Sequence, residues 1–379
     1  MKIGVFTLPL EMNYGGILQA YALQTVLKRQ GHEVFTIDHH NRREYSSFKS
    51  QLLSFLKRNF LHYFRKEDVS ICWNPFMSEN EYKILSHNTR DFVARNLSMT
   101  REIWRDDIYS IDKEYLFDAY VVGSDQVWLP YYYPNSFLDF VDRKGVIKVF
   151  YGASCGEYSF LNNPLAIKTC QSLLEDFTGI SVREDSLIKR VDHTIHRPIE
   201  HVLDPTLLLE PEDYISVCSC ESRISDNIFV YILDDNENKQ RIVDFVNKEL
   251  VLPIRNVNAS KKFIKRSNTN IKECVFPSVD NWILSLEKSS FVVTDSFHGT
   301  VFSILFNKPF VVIGNKQRGM DRFISLLSIF DLSDRLISDG DLNKLNMLIN
   351  KKIDYRLVNE RLETWRNKSL KFLENSLNS

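Results

Sequence analysis

Phe291-Val-Val-Thr-Asp-Ser-Phe-His-Gly-Thr-Val-Phe-Ser303 reads as a strand, a tight turn and the opening of a helix. Phe291 to Thr294 is a short apolar run of the kind buried in a parallel sheet. Gly299 and the small residues around it permit a tight turn. Val301 to Phe306 supplies the apolar core of the helix that follows. His298 is therefore expected at the strand-to-helix turn. In an open α/β sheet that turn lies at the carboxyl edge, where ligands bind. A helix N-terminus there offers free N–H groups and partial positive charge to an anion. Ser296, Phe297, Gly299 and Thr300 are thus candidates for holding one. His298 either donates a proton beside a bound phosphate or carboxylate, or caps a helix of an ordinary α/β domain.

The same strand–loop–helix reading recurs upstream. Lys2 to Leu8 is a strand, Ile17 to Lys28 an amphipathic helix, and Glu33 to Asp38 the next strand. That is a βαβ crossover, and its loop carries Asn13-Tyr-Gly-Gly16. The loop is not G-x-G-x-x-G, so the dinucleotide fingerprint is absent. Gly15 and Gly16 either admit a ligand close to the backbone or start the helix. Tyr120 to Val122 is another buried strand, ending in Gly123-Ser-Asp-Gln-Val-Trp128. Asp125 either accepts a proton or sugar hydroxyl, or organises its loop. Trp128 and Tyr131-Tyr-Tyr133 could stack on a sugar face. Lys148 to Ser154 and Gly179 to Val182 are further strands, and Arg183 closes the second. An arginine there is shaped for carboxylate or phosphate, or pairs structurally with Glu184 or Asp185.

A second block of alternation begins at Ile228 to Leu233. Its helix runs from Asn236, a plausible cap, to Leu250, with strands at Leu252 to Val257, Phe291 to Thr294 and Pro309 to Gly314. Leu357 to Leu377 is a terminal amphipathic helix. At 379 residues, two α/β domains are expected, with a hinge near 210–227. Residues 41–115 are an excursion. Lys57-Arg-Asn-Phe-Leu-His-Tyr-Phe-Arg-Lys66 mixes basic residues with aromatics, and helical spacing spans Phe48 to Phe64. Its apolar face packs on the domain, or it is a solvated face, a lid, or a surface that touches anionic membrane.

Composition sets limits. Hydrophobic residues are 44% and charged residues 26%, a folded profile. A net charge of −1 argues against nucleic acid as partner. No run of 18 apolar residues occurs, so no spanning helix is expected, and the opening residues read as a strand rather than a signal peptide. The six cysteines are scattered, without zinc spacing, and read as reduced thiols of a cytoplasmic protein. No metal site is expected.

Six motifs occur in order: Asn13-Tyr-Gly-Gly, Gln19-Ala-Tyr-Ala-Leu23, Gly123-Ser-Asp-Gln-Val-Trp128, Ser181-Val-Arg-Glu184, Asp204-Pro205 and Asp295-Ser-Phe-His-Gly299. Together they resemble the polysaccharide pyruvyl transferase family, over about residues 1 to 330. The resemblance implies a GT-B-like α/β fold, two Rossmann-like domains facing across a cleft. Residues 1–210 would be the N-terminal, acceptor-side domain with its excursion at 41–115. Residues 211–355 would be the donor-side domain, and 356–379 a terminal helix crossing back. It implies phosphoenolpyruvate as co-substrate, with no cofactor, and a glycan acceptor such as a lipid-linked oligosaccharide. The product is a pyruvate ketal of a bacterial capsular or exopolysaccharide, made in the cytoplasm at the inner face of the plasma membrane. His298 matches the family's histidine, as general acid, with Asp125 as second catalytic group. Arg183 matches the donor-binding arginine. Asn13, Tyr14, Gly15, Gly16, Gln19, Ser124, Gln126 and Trp128 fall on the acceptor side. One departure is Ser296, where the family commonly carries arginine; Lys316, Arg318 or Arg322 could supply that charge to the donor. The alternatives are a nucleotide-sugar-dependent GT-B glycosyltransferase and a non-catalytic glycan-binding relative.

Overall fold

The computed structural model describes the chain except residues 41–47, 67–68, 70–71, 74–75, 105–106, 130–131, 156–163, 192–194, 220–225, 265–269, 315–318, 339 and 379, and the side chains of 164–166. Thirteen strands are described: β1 (Lys2–Phe6), β2 (Glu33–Thr36), β3 (His39–His40), β4 (Ile103–Trp104), β5 (Ala119–Val122), β6 (Ile147–Ala153), β7 (Gly179–Val182), β8 (Glu200–His201), β9 (Asn227–Tyr231), β10 (Ile254–Asn256), β11 (Ser289–Thr294), β12 (Phe310–Ile313) and β13 (Leu336–Ile337). They form a six-stranded sheet in the order β2-β1-β5-β6-β7-β8, a five-stranded sheet in the order β10-β9-β11-β12-β13, and the pair β3-β4. Every pairing is parallel. The central strands β5, β7, β9 and β12 are buried along their whole length. Helices cover both faces of such sheets, which is why these strands read as continuous apolar runs.

The strand order reverses once in each large sheet, between β1 and β5 and between β9 and β11. At such a reversal the two crossovers diverge and leave a crevice at the carboxyl ends. The segments that follow β1, β5 and β11 carry Asn13 and the helix start at Tyr14 to Gly16, the loop Ser124 to Gln126, and Ser296 with the helix start at Phe297 to Gly299. In the second sheet Asp295 clamps the reversal: it accepts from the N–H of Leu233 at 2.6 Å and from Lys239 Nζ at 2.7 Å.

The helix after β11 starts earlier than its apolar run suggests. It spans Phe297–Leu305 because Ser296 caps it, accepting from the Gly299 N–H at 3.3 Å. His298 thus lies inside the first helical turn, not in a turn before it. Gly299 serves close packing instead: a Cβ there would lie 2.4 Å from Thr294 Oγ1.

One apolar cluster runs through both halves of the chain. Tyr14, the first residue of the helix Tyr14–Arg29, inserts into the second half. Its ring lies 5.9 Å from Tyr231 and 6.0 Å from Trp282, and its hydroxyl donates to the Pro277 carbonyl at 2.8 Å. The terminal helix Tyr355–Leu377 packs on the first sheet, where the Leu203 N–H donates to Ser369 Oγ at 2.9 Å. The helix Phe48–Arg65 coincides with the spacing read from the sequence, yet none of its residues is buried. Among the described residues no helix is long and apolar enough to cross a membrane. The described cysteines are free thiols.

Candidate active site

Five loops bring one polar cluster together where the two halves meet. Arg183, from the end of β7, is its centre and is almost wholly buried. Its Nη1 donates to Asp204 Oδ2 at 2.6 Å, and its Nη2 donates to Asp125 Oδ1 at 3.0 Å. Glu184 stands 3.9 Å from its Nε. Of the structural partners expected for Arg183, Glu184 is in ion-pair range, and the guanidinium also spans Asp125 and Asp204.

Asp204 precedes Pro205 and caps the short helix Pro205–Leu208 through Oδ1, which accepts from Thr206 N–H at 3.1 Å and Thr206 Oγ1 at 2.7 Å. Its Oδ2 takes Arg183, the Ser124 hydroxyl at 3.1 Å, and an ionic contact with His298 Nε2 at 3.7 Å. That last distance is too long for a hydrogen bond. Among the described residues His298 Nε2 has no hydrogen-bond partner. The other side of the imidazole rests on the N-terminal half: a Cβ on Gly15 would lie 2.0 Å from His298 Nδ1.

Asp125 holds a left-handed backbone, φ 81°, which aspartate tolerates better than most residues. The Ser154 N–H fixes it there by donating to its carbonyl at 3.1 Å. Exposed Asn13 reaches its Oδ2 at 3.4 Å. Two guanidinium groups lie over the Phe297 ring, Arg183 4.5 Å and Arg322 5.5 Å from its centre. Such stacking holds cations beside an aromatic face.

Charge follows from these contacts. Burial alone would raise the carboxyl of Asp204, but the imidazole of His298 and the guanidinium of Arg183 hold it far below the usual range. Burial likewise opposes the ionised form of Asp125, and Arg183, His298 and Arg322 together outweigh it. Glu184 goes the other way: burial dominates over Arg183 and the Ser154 hydroxyl, and its carboxyl is raised. His298 stands beside the Asp204 carboxylate, in the first turn of its helix, where backbone N–H groups face an anion.

The structure brings His298, Asp125, Arg183, Asn13, Gly15, Ser124, Ser296, Phe297 and Arg322 together. Others lie elsewhere. Tyr14 is core, as described. Gln19 is buried, its amide donating to Thr7 Oγ1 at 2.6 Å and to the Gly16 carbonyl at 2.9 Å. Trp128 is buried among Phe137 and Phe150 and presents no face to a sugar. Gln126 is half-buried, and its N–H donates to the Asp125 side chain at 3.0 Å. Gly16 starts its helix, and the Thr300 hydroxyl is turned back on the Ser296 carbonyl at 3.0 Å. Lys316, Arg318 and Tyr131 lie outside the described residues. Asp204 and Glu184 were not singled out as site residues. An aspartate before proline signals a helix cap, and nothing local says that it faces a histidine from the other half.

A second group, Asp38, His40 and Glu102, brings three ligand atoms within 4.8 Å of one another. Arg90 already occupies it, donating to the two oxygens of Asp38 at 3.0 and 2.7 Å. Burial disfavours charge on His40, but the carboxylates of Asp38 and Glu11 beside it override this and push the imidazole up to about 9. A protonated imidazole beside a guanidinium does not suit a cation.

A family model described as Polysaccharide pyruvyl transferase matches residues 13–317. No curated protein matches the chain. Among solved structures, UDP-GlcNAc 2-epimerase from Neisseria meningitidis aligns with a TM-score of 0.52 at 10% identity, over 100% of this chain and 99% of that one. The glycotransferase of kitacinnamycin aligns with a TM-score of 0.51 at 10% identity, over 99% of each chain. At such identity the likeness concerns the fold, which is the two-domain GT-B arrangement.

Proposed function

This chain belongs to the polysaccharide pyruvyl transferase family, and from that membership we propose that it moves the pyruvyl group of phosphoenolpyruvate onto two hydroxyls of one glycan sugar. The setting is assembly of a bacterial capsular or exopolysaccharide, on an acceptor such as a lipid-linked oligosaccharide. The observation that carries the reading is His298, with its Nε2 unpartnered among the described residues and 3.7 Å from Asp204 in the buried cluster.

In this reading His298 gives its proton to the donor's methylene carbon. The adjacent carbon becomes oxocarbenium-like, and a first sugar hydroxyl adds to it. Phosphate leaves, and the second hydroxyl closes the ketal. The two hydroxyl protons balance the new methyl hydrogen and the proton that departs with phosphate. In the same reading the Asp125 carboxylate accepts a hydroxyl proton. The donor's anionic groups meet the helix start at Phe297 and the guanidinium of Arg322. Arg183, with each Nη bound to a carboxylate, acts through Asp125 and Asp204 rather than by gripping the donor.

The test is phosphate release and ketal formation from phosphoenolpyruvate and galactose- or mannose-terminated lipid-linked oligosaccharides. His298→Ala is expected to lower turnover by at least about a hundredfold, the scale of a lost general acid. Near-normal turnover in that variant rules out the acid role. Nucleotide release from a nucleotide sugar, without phosphate release from phosphoenolpyruvate, replaces the reading with glycosyl transfer.

A further inference from the structure

The helix Phe48–Arg65 breaks the rule that the rest of the chain obeys. Every other helix of ten or more residues whose burial is described throughout buries an apolar stripe. This one buries nothing, and its large apolar side chains face solvent: Phe48 is 70% exposed, Phe64 is 78% exposed, and Leu52, Leu53, Leu56, Phe60 and Tyr63 are exposed as well. At 100° per residue, those seven positions fall within one arc of about 160°. They form a single outward face, not scattered surface residues.

Its charge is one-sided. The segment holds Lys49, Lys57, Arg58 and Arg65 and no Asp or Glu, in a chain whose net charge is −1. Lys49, Lys57 and Arg65 are exposed. On the other side of the helix, Phe55 lies 5.3 Å from Trp73 and Arg58 donates to the Cys72 carbonyl at 2.9 Å, while the apolar arc is exposed.

We propose that this helix is an interfacial anchor that lies in the headgroup region of an anionic bilayer. Its apolar arc enters the acyl boundary while the lysines reach lipid phosphates. A second copy of this chain is disfavoured as occupant, because two such faces would bring like charges together. The excursion leaves the first sheet after β2, the edge strand next to β1, so an anchor there would hold that edge near the surface. The inference stands on the helix alone, independent of the reaction proposed above.

The experiment is co-sedimentation of the full chain with phosphatidylcholine vesicles, with and without phosphatidylglycerol. Wild type is expected to sediment with the anionic vesicles, and more weakly as salt rises. Each exposed basic residue contributes roughly fivefold to such binding, so Lys49→Gln/Lys57→Gln/Arg65→Gln should weaken it on the order of a hundredfold. Phe60→Ser/Phe64→Ser should abolish it even at low salt. Unchanged melting of both variants is expected, since the replaced side chains are exposed. Absence of wild-type binding, or binding unchanged in either variant, overturns the proposal. So does a wild-type dimer in light scattering that Phe60→Ser/Phe64→Ser converts to monomer without any effect of lipid.

Discussion

Gly15→Ala tests the contact between the two halves more sharply than any change to the histidine itself. The added Cβ would lie 2.0 Å from His298 Nδ1, 2.2 Å from Cγ and 2.6 Å from Cε1. No ring tilt absorbs that, so the imidazole must leave its place or the halves must part. Overpacking of this kind costs about 1–3 kcal/mol. Alanine in place of glycine in a helix returns up to about 1 kcal/mol, so the net loss of stability should be about 0–2 kcal/mol. The effect on turnover should be larger, about a hundredfold or more, because the proton donor is displaced. Urea unfolding gives the first quantity, and phosphate release from phosphoenolpyruvate gives the second. The double variant Gly15→Ala/His298→Ala should regain the stability, since truncation removes the clash, and should stay inactive. Gly16→Ala is the control. Its Cβ would meet only the mobile end of Asn13, at 3.1 Å from Nδ2, so a small effect is expected. Full turnover in Gly15→Ala with unchanged stability, or no recovery in the double variant, refutes the packing of His298 on Gly15.

Arg183→Ala should lower the unfolding free energy at pH 7 by about 3–5 kcal/mol, because it strands the buried carboxylates of Asp125 and Asp204. Arg183→Lys should restore only part, since one ammonium cannot span both groups; a loss under about 1 kcal/mol for alanine would make the ion pairs incidental. His40 gives a pH test. Its proton is held more tightly in the folded chain, the imidazole rising from 6.5 to about 9. That stability is fully present below pH 6.5 and is lost as pH climbs through about 9. Denaturation measured from pH 6 to 10 should show this alkaline loss in wild type and not in His40→Gln; an equal loss in both would assign it to another group.

The strands and their loops were legible because each central strand is a run of apolar residues closed by glycine or a small polar residue. Phe291 to Thr294 and Tyr120 to Val122 are of this kind; the loop after the second carries Asp125, and His298 lies in the first turn of the helix after the first. The helix begins at Phe297, four residues before its apolar run at Val301, so His298 is helical rather than part of the turn. Gly299 suggests a turn, whereas the Ser296 cap and the close approach of Thr294 make it a helical residue. Trp128 and Tyr14 were assigned to an acceptor face because an aromatic beside a site loop could serve either a ligand or the core. Only the packing partners, Phe137 and Phe150 for one and Tyr231 and Trp282 for the other, decide between the two.

The one-dimensional chain carries whatever depends on neighbours in sequence: the parallel strands, the crossover at residues 1–40, and the helical periodicity of Phe48 to Phe64. It does not carry the partners of a charge. Arg183 finds Asp125 and Asp204, 58 and 21 residues away, and His298 reaches Asp204 and Gly15 across the whole chain. A buried guanidinium must be paired, which is a general requirement. Which carboxylates answer it depends on which strand ends the sheet order brings side by side, and that order exists only in the folded molecule.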